Sequence, residues 1–567
     1  MDESRHEDKY THAHRERQRH IDAIVKARTD KKIVVAGPGT GKTYLFKTIL
    51  KGKRNTLTLT FVNALVEDLS LELFGLSDVK TLHGFARRQL EKATGKSIKV
   101  FPKLSEVINE DAKILLDSKI DFDELFHNRA DDDKRLEFYK ARKAYYGHYG
   151  FSDLVFAAVK YFERHQDKIP VHAQVVVDEF QDFNTLEVSL IDLLAKKSPV
   201  LLTGDDDQAL YESLKSASAK HIRQRHSDAR SGYTSFSLPY CSRCTRVIVE
   251  ATNDIISGAA HNGLMQGRIG KPFLYFEDAD KDEESARNRH VVYTKLYAKQ
   301  IPWFIQERVK EITKQMQSKF TVLILSPTRT QCRLVVDALK TKGFEHVQFM
   351  ERKDSPEPTL LDGLKLLLED EKCNLGWRVV AKTILDAAEC QALVRETSKE
   401  GESRLVCEMI DDRRKRQVAH LLTTLRAVRG GKADIKEEKL AELLKEVGVD
   451  AYGMARDYLR DELIVNSLHR VDAGVRKTSI LVTTIQSSKG LAADYVFITH
   501  FDDQYFVKSR DKRNISDQDV CNFLVALTRA KRKVFLLSTD TNKVPTFLKW
   551  IDRARIWEVE APGASGK

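Results

Sequence analysis

The sequence predicts an α/β protein of two separate lobes, each a parallel sheet covered by helices and each interrupted by a mainly helical insertion. Three observations carry this. Short β-branched runs alternate with helical stretches in two separated blocks of the chain, long charged helical segments break into that alternation, and 567 residues exceed what one hydrophobic core sustains. Apolar strands that alternate with helices are buried on both faces, which is the pattern of a parallel sheet.

The first block opens with KKIVVAG (31–37), a β-branched strand ending in Gly, followed by a Gly-rich turn and the helical YLFKTILKG. TLTLTFVN (56–63), AQVVVDEF (173–180) and SPVLLTGDDDQ (198–208) repeat the strand pattern. The second block begins at TVLILSPTRTQ (321–331) and resumes with SILVTTIQSSKG (479–490), DYVFITHF (494–501) and KVFLLST (533–539). The expected organisation is a first lobe over 1–85 and 150–255 with an insertion over 86–149, and a second lobe over 256–360 and 475–557 with an insertion over 361–474. Residues 558–567 read as a flexible tail. No fixed-period repeat is visible.

Composition excludes several classes. With 42% hydrophobic and 31% charged residues the chain is neither disordered nor fibrous, and no run approaches a membrane span. Lys and Arg outnumber Asp and Glu by 94 to 83, a net charge of +11 that permits a polyanionic partner. Seven cysteines without an apolar leader point to a reducing, cytoplasmic compartment. Cys241 and Cys244 form a CxxC, but no second pair completes a zinc site. The charged N-terminus, with His12 and His14, reads as a solvated leader, the metal-binding alternative lacking a ligand set.

The turn after the first strand reads Ala36-Gly37-Pro38-Gly39-Thr40-Gly41-Lys42-Thr43, a P-loop with Ala in place of the first Gly. Such glycines let backbone N–H groups converge on a β-phosphate, while Lys42 reaches the β/γ oxygens and the Thr43 hydroxyl binds Mg²⁺. In VVVDEFQD, Asp178 at the strand end can hold Mg²⁺ through water and Glu179 can orient or deprotonate the attacking water. A nucleoside triphosphate and Mg²⁺ are the ligands that follow.

With DEFQD, GDDDQ, SSKG and LTRA in that order, the chain resembles the UvrD/Rep family of superfamily 1 DNA helicases from Gln18 to about Leu537. The resemblance implies two RecA-like lobes, 1A and 2A, with helical insertions 1B and 2B. ATP would sit between the lobes, while single-stranded DNA crosses both and is moved 3′→5′. It matches Gln18 to the adenine-reading glutamine, and Gln208 to the sensor between γ-phosphate and DNA. Arg243 and Arg529 match arginines that reach the γ-phosphate. It places Thr60, Phe61, Asn63, Thr81, His83, Phe85, Tyr211, Thr484, Gln486, Ser488 and Lys489 near the DNA; Phe61 and Phe85 read equally well as core residues. Departures stand at Ser213, Leu214 and Ser242, where the family carries an aromatic, an arginine and a tyrosine, and at Ala492, Asp519 and Val520.

Single-stranded DNA and tailed duplexes are the implied partners. The compact insertions also resemble those of the helicase subunit of a Gabija-type defence system, which works with a separate nuclease. The competing reading is an ATP-dependent DNA-binding switch that regulates a partner without unwinding.

Overall fold

The computed structural model describes residues 2–60, 63–210, 218–316, 319–344, 347–350, 357–398, 404–429, 437–445, 479–507, 515–540 and 542–560. Two compact units emerge. The first comprises Met1–Gly84, Phe162–Lys353 and Arg476–Lys567, and the second Phe85–Tyr161 with Asp354–Val475.

The first unit contains both predicted sheets. The N-terminal sheet uses β1 (Lys31–Ala36), β2 (Thr56–Thr60), β3 (Asp78–Thr81), β4 (Gln174–Val177), β5 (Val200–Gly204) and β6 (Thr234–Leu238) in the order β3-β2-β4-β5-β1-β6. Every pairing is parallel, and β1, β2, β4 and β5 are almost wholly buried. That double-sided burial is why these strands read as continuous apolar runs. A two-stranded ribbon follows, β7 (Tyr240–Cys241) against β8 (Leu274–Tyr275).

The C-terminal sheet has seven parallel strands in the order β11-β12-β10-β13-β14-β9-β15. They are β9 (Val291–Lys295), β10 (Thr321–Ser326), β11 (Val347–Phe349), β12 (Ser479–Thr484), β13 (Ala493–Thr499), β14 (Ala530–Ser538) and β15 (Ile556–Glu558). The short edge strands β3, β11 and β15 were not evident in the sequence, because three or four half-exposed residues give no periodicity.

The N-terminus is not a solvated leader but a helix, Asp2–Lys26. Neither Gly nor Pro interrupts it, Arg19–Glu16 and Lys26–Asp22 pair along its surface, and Ala13, Ile21 and Ile24 are buried at helical spacing. Lys9 meets Glu277 at 3.1 Å and Asp282 at 3.3 Å, and His14 meets Asp278 at 3.3 Å and the Phe276 ring at 4.8 Å. His12 and His14 therefore lie on a docked helix.

The described residues of the second unit are mainly helical and come from both stretches that interrupt the lobes. At its centre Asp111, fully buried on Leu104–Leu116, accepts hydrogen bonds from Arg142 Nε (2.8 Å), Tyr146 Oη (2.6 Å) and Arg378 Nε (3.0 Å). Arg142 and Tyr146 come from the first insertion and Arg378 from the second, so one buried carboxylate ties two distant chain segments together. Among the described residues no helix is long and apolar enough to cross a membrane.

Candidate nucleotide site

Three turns meet at the C-terminal edge of adjacent strands β4, β5 and β1, where crevices in parallel sheets form. The turn after β1 is the Gly37–Gly41 loop. Gly39 and Gly41 take φ of 71° and 96°, values that favour glycine, and Gly41 caps the helix Lys42–Leu50. The Thr40 hydroxyl closes the loop on the Gly37 carbonyl at 2.9 Å. Ala36 ends β1 fully buried, and Gly37, Pro38, Asp205, Gln208, Phe273 and Thr528 line a small adjoining cleft.

Lys42 and the acids after β4 are in contact. The Lys42 ammonium donates to Glu179 Oε1 at 2.7 Å and lies 3.5 Å from Asp178 Oδ1. Burial opposes charge on Lys42, but Asp178 and Glu179 outweigh it and push its pKa up. Glu179 sits at φ 54°, ψ 41°, a left-handed conformation costly for a side chain-bearing residue and common at functional turns. Gln181 Nε2 donates to its Oε2 at 2.6 Å and Lys489 Nζ lies 3.6 Å from the same oxygen. Burial would raise the Glu179 carboxyl, yet Lys42 and Lys489 hold it well below the usual carboxylate range, ionised at any working pH. Burial shifts Asp178 the other way, upward, although Lys42 opposes this and Thr203 Oγ1 donates at 3.1 Å. Asp178, Glu179 and the Thr43 hydroxyl beside Lys42 are hard oxygen donors of the kind that suit Mg²⁺.

Gln208 follows β5. Its Nε2 donates to Asp205 Oδ2 at 2.6 Å, and its Oε1 accepts from Arg529 Nη2 at 3.0 Å. Arg529 precedes β14 of the other sheet, is 3% exposed, and also donates to the Val525 and Leu491 carbonyls at 3.0 and 3.2 Å. Burial, and then nearby Arg243, bring its pKa down to about 10, so it remains a cation at neutral pH. Arg243 abuts the phosphate loop: a methyl group on Gly39 would run into Arg243 Cβ. Ser242, standing where the family has tyrosine, is bound to the Gly39 carbonyl through its N–H at 3.0 Å.

Several expected contacts lie elsewhere. Gln18 is exposed and donates to Asp22 Oδ1 at 2.7 Å, away from the loop; helical phase presents Arg17 there instead. Phe85 is 2% exposed in an apolar stripe with Leu82, Ala86 and Leu90, so its core reading holds in place of a stacking contact. Lys489 is 3% exposed and binds Asp182 and the Gln208 carbonyl (2.8 Å). Burial pushes Asp182 up to about 6 against the pull of Lys489. Ser488 is buried and donates to Ile485 O at 2.6 Å.

Thr60 ends β2, fully buried with no hydrogen-bond partner for its hydroxyl, and Asn63 opens the helix Asn63–Glu72. Thr81 accepts from Gly84 N at 3.1 Å and His83 lies 4.0 Å from Glu187. Thr484 and Gln486 border a small pocket with Tyr505, Phe506 and Asn522. Phe61, Tyr211, Ser213 and Leu214 lie outside the described residues. Asp519, in place of a family arginine, caps its own helix with Ser516.

Two features had no signal in the sequence. Asp205, Asp206 and Asp207 surround Lys271 at 2.9, 2.6 and 2.9 Å, and Arg268 and Arg223 complete the neutralisation. Arg17 is the other. Neither is visible without tertiary contacts between residues tens of positions apart or more.

Residues 20–214 match a family described as an AAA domain, and residues 377–541 match the UvrD-like helicase C-terminal domain. The chain is 22% identical over 453 residues to the ATP-dependent DNA helicase PcrA of Staphylococcus epidermidis, covering 69% of this chain and 59% of that protein. Against DNA helicase II of Escherichia coli the identity is 23% over 421 residues, covering 65% and 56%. The chain thus spans less than two thirds of the length of these relatives.

Proposed function

We propose that this chain, which matches an AAA domain and a UvrD-like helicase C-terminal domain, is a UvrD/Rep-like superfamily 1 helicase with two RecA-like lobes that hydrolyses ATP with Mg²⁺ to move 3′→5′ along single-stranded DNA. The observation that carries this is the Gln208–Arg529 contact. A residue after β5 of one sheet is bonded to a cation before β14 of the other, beside Lys42, Asp178 and Glu179.

The arrangement supports the following chemistry. Lys42 leaves Glu179 for the β/γ oxygens, and Glu179, ionised and relieved of its partner, orients the attacking water. Mg²⁺, held by Thr43 and through water by Asp178, would neutralise the charge of the phosphates. Arg529 and Arg243 stabilise charge on the transferring group only when both lobes close on it, which couples hydrolysis to closure. Gln208 then links that closure to the loop holding Asp205.

Strand displacement on duplexes with a 3′ or a 5′ tail tests the proposal. Opening of the 3′-tailed substrate alone supports it; ATP hydrolysis without strand separation on either would instead fit the switch reading. The proposal extends to a separate nuclease partner in a Gabija-type defence system, a reading supported by the compact insertions and tested by copurification of a nuclease with this chain.

A further inference from the structure

Arg17 stands beside the phosphate loop with no counter-charge among the described residues. A methyl group on Gly41 would lie 2.8 Å from its Nη2, so the guanidinium touches the residue that caps the helix Lys42–Leu50. Its Nε is buried without a hydrogen-bond partner, and its face rests on the Phe276 ring, 4.8 Å from the centroid. No carboxylate is in ion-pair range of it among the described residues, and the groups acting on it electrostatically are Tyr44 and Cys241. Three other cations of this region are engaged, Lys42 with Glu179, Lys489 with Asp182 and Arg529 with Gln208.

The position of Arg17 is fixed from both sides. Lys9, Tyr10 and His14 anchor the helix Asp2–Lys26 to Glu277, Asp278 and Asp282, and Ile21 and Ile24 bury its other end. A half-buried guanidinium whose charge no neighbouring carboxylate balances is costly, and the loop amides beside it are suited to an anion. We propose that Arg17 binds the phosphate chain of the nucleotide, contacting phosphates that ATP and ADP share. This rests on the reading of Gly37–Thr43 as a nucleotide site. It also assigns the nucleotide-facing role on the N-terminal helix to Arg17, since Gln18 is turned outward onto Asp22.

Isothermal titration of ATP, ADP and adenosine with Mg²⁺ into the wild type, Arg17→Ala, Arg17→Lys and Lys42→Ala tests the assignment. A hydrogen bond between charged groups predicts about ten- to a hundred-fold weaker ATP and ADP binding in Arg17→Ala. Adenosine binding should not change, and Arg17→Lys, with charge retained, should fall between the two. ATP and ADP affinities within about two-fold of wild type would overturn the proposal, as would an equal loss for adenosine, which marks a base contact. So would an Arg17→Lys variant that melts like wild type yet binds as weakly as Arg17→Ala. Failure of the wild type to bind ATP would remove the underlying site; unchanged binding in Arg17→Ala alongside loss in Lys42→Ala would remove only the role of Arg17.

Discussion

Glu179→Gln should slow hydrolysis while tightening ATP binding, a combination that follows from the position of Lys42. The ammonium is bound to Glu179 at 2.7 Å and must leave it to reach phosphate. Two unit charges at that separation attract by about 6 kcal/mol at an effective dielectric near 20, and desolvation offsets most of this. If a quarter survives, about 1.5 kcal/mol, releasing Lys42 makes ATP binding about ten-fold tighter. The amide keeps the shape of the side chain and can still accept from Gln181, so the site should not collapse. It cannot take a proton or orient water as a carboxylate does, which predicts a kcat lower by about two to four orders of magnitude. Phosphate release at saturating ATP and single-stranded DNA, with ATP affinity from calorimetry, gives both numbers. A kcat within a few-fold of wild type, or ATP binding that weakens, would refute the reasoning.

Arg529→Ala and Arg243→Ala should each lower kcat by more than they weaken ATP binding, because their charges act in the closed transition state; equal kcat with weaker binding would make them ground-state anchors. Asp182 should make stability pH-dependent. Its pKa in the folded state is raised from 3.8 to about 6, so its contribution is full below about pH 4 and is lost as pH rises through 6, some 3 kcal/mol in all. Chemical denaturation of Asp182→Asn and wild type from pH 4 to 7 should show the variant gaining by that amount, whereas parallel curves would contradict it. Asp111→Asn leaves Arg142 and Arg378 buried without their carboxylate and should destabilise the helical unit by about 3–5 kcal/mol, read by hydrogen exchange within Phe85–Tyr161; unchanged protection there would count against it.

Local chemistry made the proposed nucleotide site legible in the sequence. The glycines of 37–41 and the acids ending β4 are contiguous, and their strand-turn-helix context is set by nearby residues. Gln18 was placed by pattern alone; one residue of helical phase, about 100°, turns it to solvent and Arg17 to the loop. Phe85 failed as a contact because a helical stripe of Leu82, Phe85, Ala86 and Leu90 satisfies the core equally well. The partners of Lys489 and of Asp205–Asp207 come from segments up to 307 residues away, a distance over which periodicity carries no information. Burial on both faces made the central strands readable, and short edge strands lacked that signal.

In the proposed function, ATP hydrolysis at Lys42, Asp178 and Glu179 is driven by single-stranded DNA. Steady-state ATP hydrolysis with and without an unstructured single strand, in low salt, with Lys42→Ala as control, tests it most directly. A slow basal rate, strong stimulation by the single strand that fades as salt rises, and no turnover in Lys42→Ala despite retained DNA binding are expected. An ATPase indifferent to single-stranded DNA, or turnover retained in Lys42→Ala, would contradict it.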